Sequence, residues 1–126
     1  MLKGIHPLLG PDLLHAIRTM GHGDDIVIAD ANFPSSFLGP KVIRADGVDA
    51  VSMTEAILAH MPLDTFVPET AWRMEVVGDP AAVPEVCVTF QDLVHRLAGD
   101  FTVHAVERFA FYEMAKKAAY IVATTE

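Results

Sequence analysis

Apolar positions along this chain follow two alternating rhythms, one of about 3.6 residues and one of short continuous runs. From residue 11 to 20, Leu13, Leu14 and Ile17 share one helical face, Pro11 suits a first turn, and Gly21 suits a helix stop. Residues 25–29 then form a compact β-branched run that ends at Asp30, the signature of a buried strand. A loop follows, broken by Pro34, Gly39 and Pro40, and Val42-Ile43-Arg44 reads as a brief strand closed by the turn pair Asp46-Gly47. Ser52 and Glu55 have the spacing of a capping box, which predicts a helix through Ala56, Ile57 and Leu58 to about His60, ended by Pro62. Residues 72–77 read as a strand and 78–84 as a loop. Apolar positions 86, 90, 93, 94 and 97 predict a helix over 85–97. Residues 101–106 alternate like a strand, 108–118 like a helix and 119–124 like a last strand. This order predicts a single α/β domain over residues 1–126, with helices covering a largely buried sheet.

Composition narrows the function. A chain of 126 residues is long enough to bury a core without disulfides or metal. The formal charge of −8 argues against nucleic acid, whose binders displace counterions with basic patches. No apolar stretch approaches the roughly 18 residues of a membrane span, and the N-terminus lacks the apolar run of a signal peptide. A single cysteine, Cys87, forms no intramolecular disulfide and fits a reducing cytoplasm; its place on an apolar helix face predicts an inert buried thiol. The hydrophobic share of 52% is high for a soluble domain of this size. Either an Ala- and Val-rich core absorbs it, or a homo-oligomer buries the surplus between subunits, the reading we favour.

Most signatures of cofactor chemistry are absent. Gly21-His22-Gly23 lacks the third glycine of a dinucleotide fingerprint and follows a helix instead of a strand. There is no phosphate loop or nucleophile elbow, and the six histidines lack metal-ligand spacing. The remaining candidate is the segment from Met20 to Pro34. Its two glycines leave the His22 backbone free and its ring uncrowded, as a ligand-facing imidazole requires; the alternative is a helix C-cap. Asp30 leaves the carboxyl end of its strand, where open α/β sheets bind ligands; the alternative is an Asx turn opening the next loop. For Arg108 the alternative to a ligand contact is a surface ion pair, for Tyr112 it is a core or interface position, and for Trp72 packing outweighs stacking on a ligand.

Four motifs in register complete the reading: Gly21-His-Gly-Asp-Asp-Ile26, Asp30-Ala-Asn-Phe-Pro34, Gly39-Pro-Lys-Val-Ile-Arg-Ala-Asp-Gly47 and Arg108-Phe-Ala-Phe-Tyr-Glu113. With the opening Met-Leu-Lys-Gly-Ile-His-Pro-Leu-Leu, they make the chain closely resemble the ribose pyranase/fucose mutarotase (RbsD/FucU) family over nearly its whole length. The resemblance implies a three-layer α/β/α fold with a mainly buried mixed sheet, and a ring-shaped homo-oligomer, a decamer. It implies that the ring forms of a free monosaccharide are interconverted without cofactor or metal. His22 matches the catalytic proton donor and Asp30 a sugar-binding aspartate. Arg108 lies where the fucose branch contacts its ligand, with Tyr112 one helical turn away. The Arg108–Glu113 motif is of the fucose type, with ribose and galactose-like sugars behind. The family pattern continues beyond the position of Glu126 with a sugar-contacting Tyr-(Gly/Ala)-Asn stretch, which this sequence does not include. A non-catalytic sugar-binding oligomer and a D-ribose pyranase are the competing readings.

The chemistry suits an imidazole. A cyclic sugar opens when a base takes the anomeric hydroxyl proton while an acid protonates the ring oxygen, and histidine is the side chain that titrates near neutrality. A strand over residues 25–29 would be about 17 Å long at 3.4 Å per residue. His22 precedes it and Asp30 follows it, so a pocket using both is most easily built from two neighbouring subunits.

Overall fold

The computed structural model describes all 126 residues. In chain order its elements are α1 (Pro11–Thr19), β1 (Ile26–Ala29), β2 (Lys41–Ala45), α2 (Ala50–Leu58), β3 (Ala71–Met74), α3 (Glu85–Leu97), β4 (Val103–Val106), α4 (Arg108–Lys116) and β5 (Tyr120–Thr124). A single 3-10 turn at Ser35–Phe37 lies between β1 and β2. All nine elements expected from the pattern are present, and α3 has the expected bounds.

The α/β class holds, but the sheet differs from the single mixed sheet expected. There are two sheets, one of three strands in the order β1-β5-β2 and one pairing β3 with β4, and every strand pairing in them is parallel. Parallel neighbours need crossover connections, and each paired strand here is joined to its partner through at least one intervening helix. β3, α3 and β4 form a βαβ unit whose strands pair only with each other. The sole antiparallel contact is the isolated bridge between Val76 and Asp79.

β5 is the centre of the larger sheet. Its Val122 lies opposite Ile28 on one side and Ile43 on the other, and Ile121, Val122, Ala123 and Thr124 are all buried. The Thr124 hydroxyl, with no solvent to bond, donates to the Ala29 carbonyl at 2.7 Å. Against this sheet α1 brings Leu13 and Ala16, and α2 brings Met53, Ala56 and Ile57, to form one core cluster with Ile43, Ala45 and Val122. Each large aliphatic side chain so buried contributes about 1.5–3 kcal/mol.

Local signals explain the element ends. α2 begins earlier than the capping-box reading, because Asp49 is its cap: one carboxylate oxygen accepts the Ser52 N–H and the other the Ser52 hydroxyl, both at 2.7 Å. Asp at this position is as good a cap as Ser, and Ser52 becomes a residue of the first turn. Glu55, the presumed second half of the box, pairs instead with Arg96 of α3 at 3.0 Å. β4 starts later than expected because Gln91 of α3 does the work of a ladder there. Its amide oxygen accepts the Val103 N–H at 2.9 Å and its amide nitrogen donates to the Phe101 carbonyl at 2.8 Å. Cys87 is half-buried on α3, more open than the fully buried thiol expected.

Only 19 of the 126 residues are buried, and Phe37, Phe66 and Phe109 are 89%, 78% and 61% exposed. The buried core is rich in Ala and Val, as one of the two explanations of the apolar content expects, while these three phenylalanines lie outside it. No helix is long and apolar enough to cross a membrane.

Candidate active site

His22 sits in a tight turn of its own, past the end of α1. Helix α1 stops at Thr19, and Met20 is already extended. The Asp24 N–H donates to the Gly21 carbonyl at 3.1 Å and the Gly21 N–H to the Asp24 carboxylate at 2.8 Å. Gly23 takes φ +82°, the positive value that the third residue of a type II turn demands. This four-residue clasp lifts the imidazole off the helix, so it is no C-cap, and 76% of its side chain is exposed.

Two residues that the sequence reading passed over meet it there. Asp64 Oδ1 lies 3.4 Å from His22 Nδ1, and the Phe66 ring stands edge-on to the imidazole at 4.8 Å between centroids. Both belong to the segment between α2 and β3, which shows no period. Asp64 also accepts the Phe66 N–H at 2.9 Å. That bond first, and the neighbouring His22 charge after it, hold the Asp64 carboxyl below the usual carboxylate range against the opposing effect of burial. No motif marks Asp64, and the stretch between Pro62 and Pro68 offers only a turn-forming aspartate.

Asp30 is at the other end of β1. Its Oδ1 accepts the N–H groups of Asn32 and Phe33 at 3.0 and 2.9 Å, so the Asx turn is present. The same side chain lines a cleft of about 180 Å³ with Phe33, Ser35, Arg44 and Thr124, at the carboxyl end of the three-stranded sheet. The turn uses one oxygen and leaves Oδ2 free of protein partners. The two readings of Asp30 are thus compatible.

Arg108 opens α4 and makes no ion pair. Its guanidinium lies 4.5 Å from the Phe109 ring centroid, and its Nε is buried with no hydrogen-bond partner. It lines a second cleft of about 230 Å³ with Glu75, Val77, Pro80 and Glu107, at the carboxyl end of β3 and β4. Glu107 caps α4 by accepting the N–H groups of Phe109 and Ala110, and these bonds, helped by the Arg108 charge, hold its carboxyl below the ordinary range against desolvation. Tyr112 packs edge-on to Phe33 at 5.6 Å and to Phe109 at 6.3 Å. Those contacts are the packing role weighed for it, and they join the Asp30 loop to the Arg108 helix. Trp72 likewise is tethered, its indole N–H donating to Glu69 at 3.2 Å.

The expected residues therefore fall into two groups. His22 precedes β1, together with Asp64 and Phe66, which precede β3. Asp30, Arg108 and Tyr112 follow the carboxyl ends of β1 and β4. β1 is four residues long, about 13 Å at 3.3 Å per residue, and His22 and Asp30 lie beyond its opposite ends. Each cleft is also smaller than the 300–1,000 Å³ or so of ordinary ligand pockets. No group of three or more His, Cys, Asp or Glu side chains is placed to hold a metal ion.

A small parallel α/β domain with an exposed imidazole at one end of its strands, and carboxylate, guanidinium and phenol at the other, has the equipment of an acid–base protein for a polyhydroxylated ligand. The chain belongs to the RbsD / FucU transport protein family, whose profile matches residues 3–126. It is 46% identical to a fucose mutarotase from Bos taurus, over all of this chain and 86% of that protein. It is 44% identical to one from Homo sapiens, over 99% and 85% of the two chains. Among solved structures, the fucose mutarotase from Streptococcus pneumoniae in complex with L-fucose superposes with a TM-score of 0.91 at 40% identity, over 99% of this chain and 89% of that one. The family expected from the four motifs is thus the family found.

Proposed function

We infer that this chain is a monosaccharide mutarotase, an isomerase that interconverts the α and β anomers of L-fucose by opening and reclosing the ring. The observation that carries the reading is 44–46% identity to fucose mutarotases along essentially the whole chain. The chemistry available to the side chains supports it. The His22 imidazole takes the proton from the anomeric oxygen and, as the imidazolium, gives it to the ring oxygen as the bond from C1 to that oxygen breaks. The aldehyde then rotates about the C1–C2 bond and recloses on either face. The free Oδ2 of Asp30 and the guanidinium of Arg108, which lines its own cleft, would hold sugar hydroxyls through charge-assisted hydrogen bonds. Tyr112, whose hydroxyl has no protein partner, would add one more.

The two groups of residues would work together if a neighbouring subunit supplies one of them. A ring-shaped homo-oligomer, a decamer in our reading, would close the site and cover the exposed Phe66 and Phe109 beside it. Support comes from the length of β1, the small clefts and the scarcity of buried residues. Residence in the cytoplasm is proposed with it, supported by a single cysteine without a partner.

Two-dimensional exchange NMR on L-fucose tests the reading. Cross-peaks between α and β anomeric protons should grow with protein concentration; exchange equal to that of buffer would refute it. The transport description of the family and the openness of His22 favour one alternative, a ring that binds sugar without turning it over. That alternative gives saturation transfer from protein to sugar with no accelerated exchange. Running D-ribose alongside tests the pyranase reading.

A further inference from the structure

His22 is an unusual acid–base group because so little holds it. Its ring is three-quarters exposed, and no protein group other than Asp64 comes within ion-pair or hydrogen-bond reach. An imidazole that free spreads over rotamers and both neutral tautomers, and only one tautomer leaves the substrate-side nitrogen as a base. Asp64 is the opposite case. Its side chain is only 19% exposed, and its Oδ1 is fixed by the Phe66 N–H. The anchored oxygen faces His22 Nδ1, and the Phe66 ring closes a second side of the imidazole edge-on.

We propose that Asp64 is a positioning residue for His22, holding its proton on Nδ1 so that Nε2 points outward as the atom that exchanges protons with the sugar. This rests on the assignment of His22 as the proton-transfer group. The proton balance is simple. Nε2 takes the anomeric hydroxyl proton, the imidazolium stays paired with the Asp64 carboxylate, and Nε2 returns a proton to the ring oxygen as the C1–O bond breaks. The Asp64 carboxylate keeps its charge throughout and is not itself protonated. Removing it withdraws both the orientation and the countercharge for the imidazolium.

The test uses the full chain labelled with nitrogen-15 and reads the His22 ring nitrogens above pH 7.5 by long-range proton–nitrogen correlation, beside anomer exchange on L-fucose. Wild type should show His22 mainly as the Nδ1–H tautomer. Asp64→Asn keeps the oxygen that accepts the Phe66 N–H, so the loop is retained. The retained oxygen still faces Nδ1 but carries no charge, so this variant should keep the tautomer and slow exchange at least about 10-fold, a part of the roughly 10²–10⁴-fold that positioned acid–base help supplies, whereas Asp64→Ala, which removes the acceptor as well, should move His22 toward the Nε2–H tautomer. Phe66→Leu, which leaves the carboxylate in place, should retain the tautomer. A wild-type His22 found mainly as Nε2–H, an Asp64→Ala protein with an unchanged tautomer, or an Asp64→Asn protein with an unchanged rate would overturn the proposal. His22→Gln separates the two claims: if it exchanges anomers as fast as wild type the catalytic assignment fails, whereas the wild-type tautomer measures the Asp64 contact independently.

Discussion

A mixed-subunit experiment bears most directly on where the site is assembled. His22 lies before β1 and Asp30 after it, some 13 Å apart along the strand by its four-residue length. If each site takes His22 from one subunit and Asp30 from its neighbour, His22→Ala and Asp30→Ala proteins are both inactive alone. Co-assembled at equal amounts, a site is intact only when an Asp30→Ala subunit supplies the histidine and a His22→Ala subunit the aspartate. Random placement gives that pairing with probability one half for each member, so roughly a quarter of all sites recover. The recovered rate follows the product of the two fractions, peaking at equal mixing and falling to background at either end. A site contained in one subunit recovers nothing at any ratio. The variants are co-expressed with different tags, purified through both, checked for mixed composition by native mass spectrometry, and assayed for anomer exchange. Asp30→Asn runs beside Asp30→Ala because its amide oxygen can still accept the Asn32 and Phe33 N–H groups. Mixed assemblies of verified composition with no recovery would refute the shared site.

Four other perturbations follow from the geometry. Gly23→Ala meets no atom within 4 Å but must hold φ +82°, so it should cost about 1–2 kcal/mol in denaturant unfolding and slow anomer exchange by displacing His22. Gln91→Ala strands the Val103 N–H and the Phe101 carbonyl, which should lower stability by about 2–4 kcal/mol, measured by urea titration. Ile57→Ala at a 1%-exposed core position should cost about 2–5 kcal/mol by the same method. Asp25 has its carboxyl raised above the ordinary value by burial first and by Asp24 second. The folded state therefore binds that proton more tightly than the unfolded chain, so the group favours folding only at acid pH and opposes it once ionised. Asp25→Asn should raise Tm at pH 7, and the gain should disappear as pH falls toward 4; an equal gain at both pH values would contradict the assignment.

The fold was legible wherever a local rule decides the outcome. The 85–97 helix has the expected bounds because five apolar positions keep one period and Pro84 and the Ala98-Gly99 pair bracket it. The start of α2 was misread because Asp49 and Ser52 are both good caps and the sequence does not say which closes the first turn. The late start of β4 was invisible for a different reason. It depends on Gln91, ten residues upstream on another element, whose role exists only once α3 lies against the strand. The division into two sheets is of the same kind, since it follows from which parallel strands meet across crossovers and not from any one segment.

The site follows the same divide. Asp30 and His22 stood out because glycines, a strand end and an Asx-forming residue are local marks, and the family motifs pass through both. Asp64 did not, because nothing in Pro-Leu-Asp-Thr-Phe signals that this loop folds back toward a turn forty residues earlier. A residue that acts on substrate tends to leave a motif, whereas one that acts through another residue is defined by a tertiary contact. Motifs record which groups the reaction needs, and they are silent on which chain brings each group to the sugar. If the imidazole before β1 and the sugar-holding carboxylate after it come from two subunits, assembly state and turnover should rise and fall together.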